Sequence, residues 1–287
     1  MLSTSNVLET DYTAYDAAVT YALGDRVRVV AANVHDVYES LQASNTGYAP
    51  ATSPTFWKRV GATNRWKMFD YFKSDQTTNA DSIIMTLACT GRVDAVFLGK
   101  VSAQTVRFRM IDAVEGVVYD QTYSLASSSG VNDWYAYFFE PVVRKTEFSE
   151  LELPPYYNPT IEITLSDPGQ TVMLGQCVVG QKRRIGGTQY GFSIQIQDFS
   201  VKQRDAWGVA TLTPRDNYSI GRFTVQVDTA MVDEVHNLFS QFAGQPVVYI
   251  GSTLHGMAQI LGFYNGFNLV VAYKTHAICN LDIESLT

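Results

Sequence analysis

Cysteine is scarce in this 287-residue chain, and Cys89, Cys177 and Cys279 are odd in number and far apart. A disulfide framework is therefore excluded, no metal-ligand spacing exists among them, and reduced core thiols are expected. The 4 histidines, His35, His236, His255 and His276, form no His-Glu-x-x-His run, so no metal is expected. Convergence of His236, His255 and His276 in space is the remaining route to a metal or catalytic centre. Long apolar runs are also missing. Stretches such as Ala258 to Tyr264 fall far short of the roughly 18 residues of a spanning helix, which argues against a membrane span. Met1 to Asp11 is polar and acidic where a signal peptide would be basic and then apolar, which argues against export by the usual route. Basic charge is in deficit, with 21 Lys and Arg against 28 Asp and Glu. The one dense basic run, Lys182-Arg183-Arg184, reads as a solvated loop, so nucleic acid is not an expected partner.

Signatures of catalysis are equally thin. Gly91, Gly130 and Gly208 open no phosphate cradle, and no strand-loop-helix setting exists for a nucleotide fingerprint. The Asp-rich stretches lack the alternating oxygen ligands of a calcium loop. Glu150 and Glu152 share a strand face, and Glu147 to Glu152 reads as an outward acidic edge. No catalytic residue and no cofactor follow from these residues, and a binding or building role is expected instead of an enzyme.

The chain does hold ample material for cores: 46% of it is hydrophobic, and its length suits about two or three domains. Its pattern is mostly β. Residues 12–61 form a small N-terminal β module in which short polar turns separate aromatics. Tyr21 to Asp25 reads as a turn, with Gly24 and Asp25 stabilising it. Arg26 to Val30 and Val34 to Ser40 follow as strands. Gly61 to Asn64 reads as the joint, with the module a peripheral appendage.

Residues 64–180 carry short alternating segments at regular intervals without amphipathic helices, the pattern of a central antiparallel, jelly-roll-like β-sandwich. Trp66 to Phe72 and Trp134 to Phe139 are among its expected strands, and Asp167-Pro168-Gly169 is an expected turn. Residues 188–287 read as a β-barrel or sandwich with one packed helix. That helix, from about Thr229 to Ala243, sets Val235, Leu238, Phe239 and Phe242 on one face. Asn265-Gly266 between two strand candidates is a hairpin signal.

The best candidate contacts are Tyr21, Tyr38 and Trp57, whose flat rings suit the apolar face of a sugar; the competing reading places them in the module's own core. The run Tyr21-Ala22-Leu23-Gly24-Asp25-Arg26-Val27, then Tyr38, then Trp57, resembles the small chitin-binding-type carbohydrate modules. The resemblance implies glycan stacking by those three rings. The order of parts in the remainder is similar to tail-tip or baseplate structural proteins of tailed bacteriophages. That likeness implies a virion component assembled in the host cytoplasm, a homo-oligomeric ring, other tail or baseplate proteins as partners, and a cell-surface glycan as a further one. Two alternatives stay open: a non-virion glycan-binding protein or accessory region of a glycan-acting enzyme, and an enzyme assembled from distant residues.

Overall fold

The computed structural model describes residues 1–72, 75–127, 133–205 and 207–286, so Gly130 and Thr287 lie outside it. The chain is mostly β, as alternation predicts. It begins with β1 (Leu2–Ser5) and then forms a four-stranded sheet from β2 (Thr13–Ala14), β3 (Arg26–Ala31), β4 (Val34–Ser40) and β5 (Trp57–Ala62). Here β2 runs parallel to β3, and β3, β4 and β5 form an antiparallel meander.

A single turn of 3₁₀ helix, Lys67–Phe69, stands where a strand from Trp66 to Phe72 is expected. After it come β6 (Thr77–Ala88), β7 (Arg92–Val93), β8 (Ala95–Gly99), β9 (Thr105–Asp112) and β10 (Gly116–Ser124). Next are α1 (Trp134–Phe139), β11 (Phe148–Glu150), β12 (Tyr156–Tyr157), β13 (Thr160–Leu174) and β14 (Gln176–Gly180). Among the described residues they build a five-stranded antiparallel sheet, ordered β1-β6-β13-β9-β10, and a three-stranded sheet, β11-β8-β14. Alternation supplies the core between them. Val106, Phe108 and Met110 on β9 and Ile161, Ile163 and Leu165 on β13 are wholly buried, with Leu98 from the smaller sheet in the same cluster. The intervening Arg107 and Arg109 turn outward and pair with Asp120 and Glu162.

Because β1 pairs with β6, from Leu2↔Leu87 to Ser5↔Met85, the aromatic module is an insertion between two neighbouring strands of this sheet and not a pendant unit on one joint. Gly61, Ala62 and Thr63 are buried accordingly. The expected turn at Asp167-Pro168-Gly169 lies inside β13 as an irregularity between Ser166 and Thr171. Gly169 there has φ +78° and donates its N–H to Asp81 at 2.7 Å.

Strand register also defines two ends of the large sheet. Ser124↔Thr105 and Thr105↔Ser166 lie together at one end. Ala88↔Thr160 and Thr160↔Ile111 lie together at the other.

The last third contains β15 (Gly187–Thr188), β16 (Ser193–Asp198), β17 (Val201–Arg204), β18 (Ala210–Thr213) and β19 (Asn217–Asp228). Helix α2 (Val232–Gln241) follows, then β20 (Val247–Ile250), β21 (Gln259–Val270) and β22 (His276–Ser285). Among the described residues β15 and β16 pair in succession along one edge of β19, and β22, β21 and β20 follow on its other side in a six-stranded sheet, while β17 and β18 pair only with each other. Asn265-Gly266 makes no hairpin. The ladder with β22 skips from Tyr264↔Ile283 to Gly266↔Asp282, so the pair marks a bulge in one continuous strand. Phe97 and Val178 of the sandwich meet Val248, Leu261 and Leu286 in a small apolar cluster that joins the two larger units. Among the described residues no helix is long and apolar enough to cross a membrane.

Candidate functional site

The module's three candidate rings face inward. Tyr21, Tyr38 and Trp57 are only 7%, 8% and 2% exposed, and with Val27 they form the module's core. Tyr15 stacks on Tyr21 at 5.9 Å, and Tyr21 meets Trp57 edge-on at 5.2 Å. The Trp57 indole N–H donates to the Tyr48 carbonyl at 2.8 Å, and the Tyr21 hydroxyl accepts from the Asp16 N–H at 2.8 Å. None of the three faces is open to a sugar, because so small a unit spends its aromatics on its own interior. At the turn, Gly24 has φ +89°, a conformation that costs a glycine little, and the Asp25 carboxylate accepts from the Ala22 N–H at 2.7 Å.

On α2, Val235 and Phe239 are buried, while Leu238 and Phe242 are half-buried. Phe239 stacks on Phe267 at 4.6 Å and meets Tyr264 edge-on at 5.4 Å, which seats the helix on β21. Asp228 opens the preceding 3₁₀ turn by accepting from the Ala230 N–H at 2.9 Å.

The titratable groups stay dispersed. His35 pairs with Glu9 and stacks on Trp66, His236 lies near Phe267, His255 near Phe192, and His276 on Tyr273. Among the described residues no group of three or more His, Cys, Asp or Glu could hold a metal ion. Burial pushes the thiols of Cys177 and Cys279 up to about 12 and about 11, and all three cysteines are free.

Glu150 departs from the outward edge expected of it. It is buried, its Oε1 accepts from the Glu152 N–H at 2.9 Å, and it lies beside Tyr119 and Tyr123, whose hydroxyls bond each other at 2.8 Å. Burial is the main cause that raises both tyrosine pKa values; Glu150 adds to both, while Tyr123 raises that of Tyr119 and Tyr119 lowers that of Tyr123. A strand of three residues carries too little alternation to reveal which way its glutamate points.

Two exposed features stand out instead. The first is α1. It turns through a hydrogen bond from the Tyr137 N–H to the Asp133 carbonyl, and i,i+4 rings pair along it: Trp134 stacks on Phe138, and Tyr135 lies tilted against Phe139. Trp134, Tyr135, Tyr137, Phe138 and Phe139 are each between 66% and 78% exposed, and Val142 and Val143 are exposed beside them. A firm stem holds this projection. The Ser127 N–H donates to Val143 at 2.7 Å and the Lys145 N–H to Leu125 at 2.8 Å, while Arg144 pairs with the buried Asp167. No family model and no curated protein matches the chain.

The second feature is the β17–β18 hairpin. All but Val201 of its strand residues are exposed, and Trp207 at the tip is 90% exposed. The Asp205 carboxylate orders that tip by accepting from the Trp207 and Val209 N–H groups at 3.0 and 2.8 Å.

Alternation did not reveal either feature. One signal was available: from Trp134 to Phe139 every position but Ala136 is aromatic and none is charged, so neither face of a strand there could be the polar one.

Proposed function

We propose that this chain is a structural subunit of a tailed-phage tail tip or baseplate, built into the virion as a homo-oligomeric ring that contacts other tail proteins. The observation that carries the reading is the uncovered β17–β18 hairpin. Two strands alone are marginal in water, and their outer edges offer unpaired N–H and C=O groups as a template for another chain. A hairpin with an ordered tip, exposed Trp207, Val209 and Leu212, and no covering layer among the described residues suits docking against a neighbour. Repeated contacts of that kind close into rings in symmetric assemblies. The module at residues 12–61 then acts as a fixed spacer between subunits, since its rings hold the module itself together.

Light scattering after size exclusion, with cryo-electron microscopy of native particles, tests the proposal. Wild-type protein should assemble, and Trp207→Ser with Leu212→Ser should reduce assembly while leaving the melting temperature in place. A chain that is monomeric at its highest soluble concentration and missing from every particle overturns the reading.

A further inference from the structure

The aromatic projection has a counterpart on the same chain. A cleft of about 600 Å³ opens beside the end of β6, with Leu2, Phe69, Leu87 and Val179 on its apolar wall and Arg92 and Gln181 among its polar lining. Register places the two features at opposite ends of the sandwich. The stem of the projection leaves β10 after Ser124, at the Thr105↔Ser166 end. The cleft adjoins Cys89 and Thr90, just past Ala88 at the Thr160 end.

The area of the projection exceeds what a free surface usually tolerates. A large aromatic carries roughly 150–250 Å², so five rings at this exposure present on the order of 500 to 1,000 Å². The largest apolar patch on a typical monomer is about 300–600 Å², whereas a standard interface takes about 800 Å² from each partner. Charge points the same way. The chain is net −7, so like copies repel, yet from Trp134 to Val143 the sole charge is Glu140. Arg92, half exposed, stands at the cleft; it pairs with Asp94 at 3.0 Å through one amino group, and its other donors can meet Glu140.

We infer that copies of this chain associate head to tail, the Trp134–Phe139 helix of one copy seated in the cleft of the next. This rests on the reading of the chain as a repeated subunit and specifies one of its contacts. A patch and a complementary pocket at opposite ends of one molecule form a heterologous interface, which continues from copy to copy until it closes.

The experiment uses the full chain with two sets of variants. Trp134→Ser with Phe138→Ser removes exposed rings from the projection. Thr90→Trp, at an exposed position, fills the cleft, and Val179→Arg provides a second block. Sedimentation velocity should show each variant alone losing the wild-type assembly. A mixture of a projection variant with a cleft variant should form one-to-one pairs and nothing larger, because one intact projection still meets one intact cleft. If both cleft variants assemble as wild type while the ring variant does not, rings pack on rings and the head-to-tail contact is overturned. If the ring variant assembles as wild type while Trp207→Ser with Leu212→Ser does not, this contact fails and the assembly reading stands. Wild-type protein that stays monomeric throughout overturns both.

Discussion

Nδ1 of His35 and a carboxylate oxygen of Glu9 stand 2.9 Å apart, joining the inserted module to the strand that precedes it. The same oxygen accepts from the Thr63 hydroxyl at 3.0 Å, and the other oxygen meets Arg65 at 3.1 Å. One half-buried carboxylate thus fastens both ends of the module.

This junction should respond to acid. Burial alone would raise the Glu9 pKa, but hydrogen bonds from His35 and Thr63 and the charges of His35 and Arg65 prevail and hold it below 4.5. A depressed carboxylate contributes stability above its unfolded pKa and loses it as the pH falls through the folded value. Glu9→Gln should therefore lower stability by roughly 1–3 kcal/mol at neutral pH. Chemical melts across pH should show the gap closing below about pH 4. A gap of constant size would mean that the ionised carboxylate is not what holds the joint.

Asp70 should behave in the opposite sense. Burial raises its pKa to about 6 and nearby Asp75 adds to this, against a hydrogen bond from the Phe72 N–H and the charges of Arg59 and Lys67. Among the described residues its Oδ2 is buried without a partner. A raised carboxylate favours the folded state fully below its unfolded pKa, and that advantage is lost as the pH rises through the folded value near 6. Asp70→Asn should raise the melting temperature above that pH and leave it unchanged only below the unfolded value of 3.8. Equal melts at pH about 8 would sink this reading.

Phe239 anchors α2. Phe239→Ala should cost about 3–5 kcal/mol in a denaturant melt. Phe239→Asp should cost more, since a charge would take the place of a buried ring. A melt indistinguishable from wild type would mean that the helix face is not seated on β21.

Gly262, on β21 opposite Ser285, tests backbone packing. A Cβ there would overlap the Glu284 carbonyl, and backbone cannot step aside as a flexible side chain can. Gly262→Ala should destabilise by about 1–3 kcal/mol, as overpacking does. Differential scanning calorimetry showing no loss would mean that the two strands separate at this point at little cost.

Strands with a strict period of two were legible from residues alone. Val34–Ser40 has the bounds that the pattern predicts, Arg26–Ala31 runs one residue longer than expected, and β9 buries every second residue from Val106 to Met110. Local signals misled where two structures share one cue. Asn265-Gly266 suits a hairpin, yet Phe267 and Leu269 continue the same ladder and the chain reverses only after Val270. Trp134 to Phe139 has strand-forming residues, but with no sheet to receive them i,i+4 ring pairs and Pro141 favour one short helical length. The partner of β1 leaves no local trace at all, because nothing near Leu2 records that Leu87 will lie opposite. In the module the inventory of aromatics was plain. Whether Tyr21, Tyr38 and Trp57 turn in or out depends on how little else a small sheet has to bury.

The insertion of the module between β1 and β6 sets an order of events during synthesis. When Leu2 emerges its partner Leu87 has not been made, so β1 waits unpaired while residues 12–61 are completed. Once that module folds, its entrance and exit lie side by side: the Asn64 N–H reaches Asp11 at 3.3 Å and Thr63 touches Glu9. The loop that β1 must close is then far shorter in effect than its count of residues, and the entropy of closing it falls accordingly. A bead that ties its own ends together lets the first strand find a late partner without searching the whole length between them.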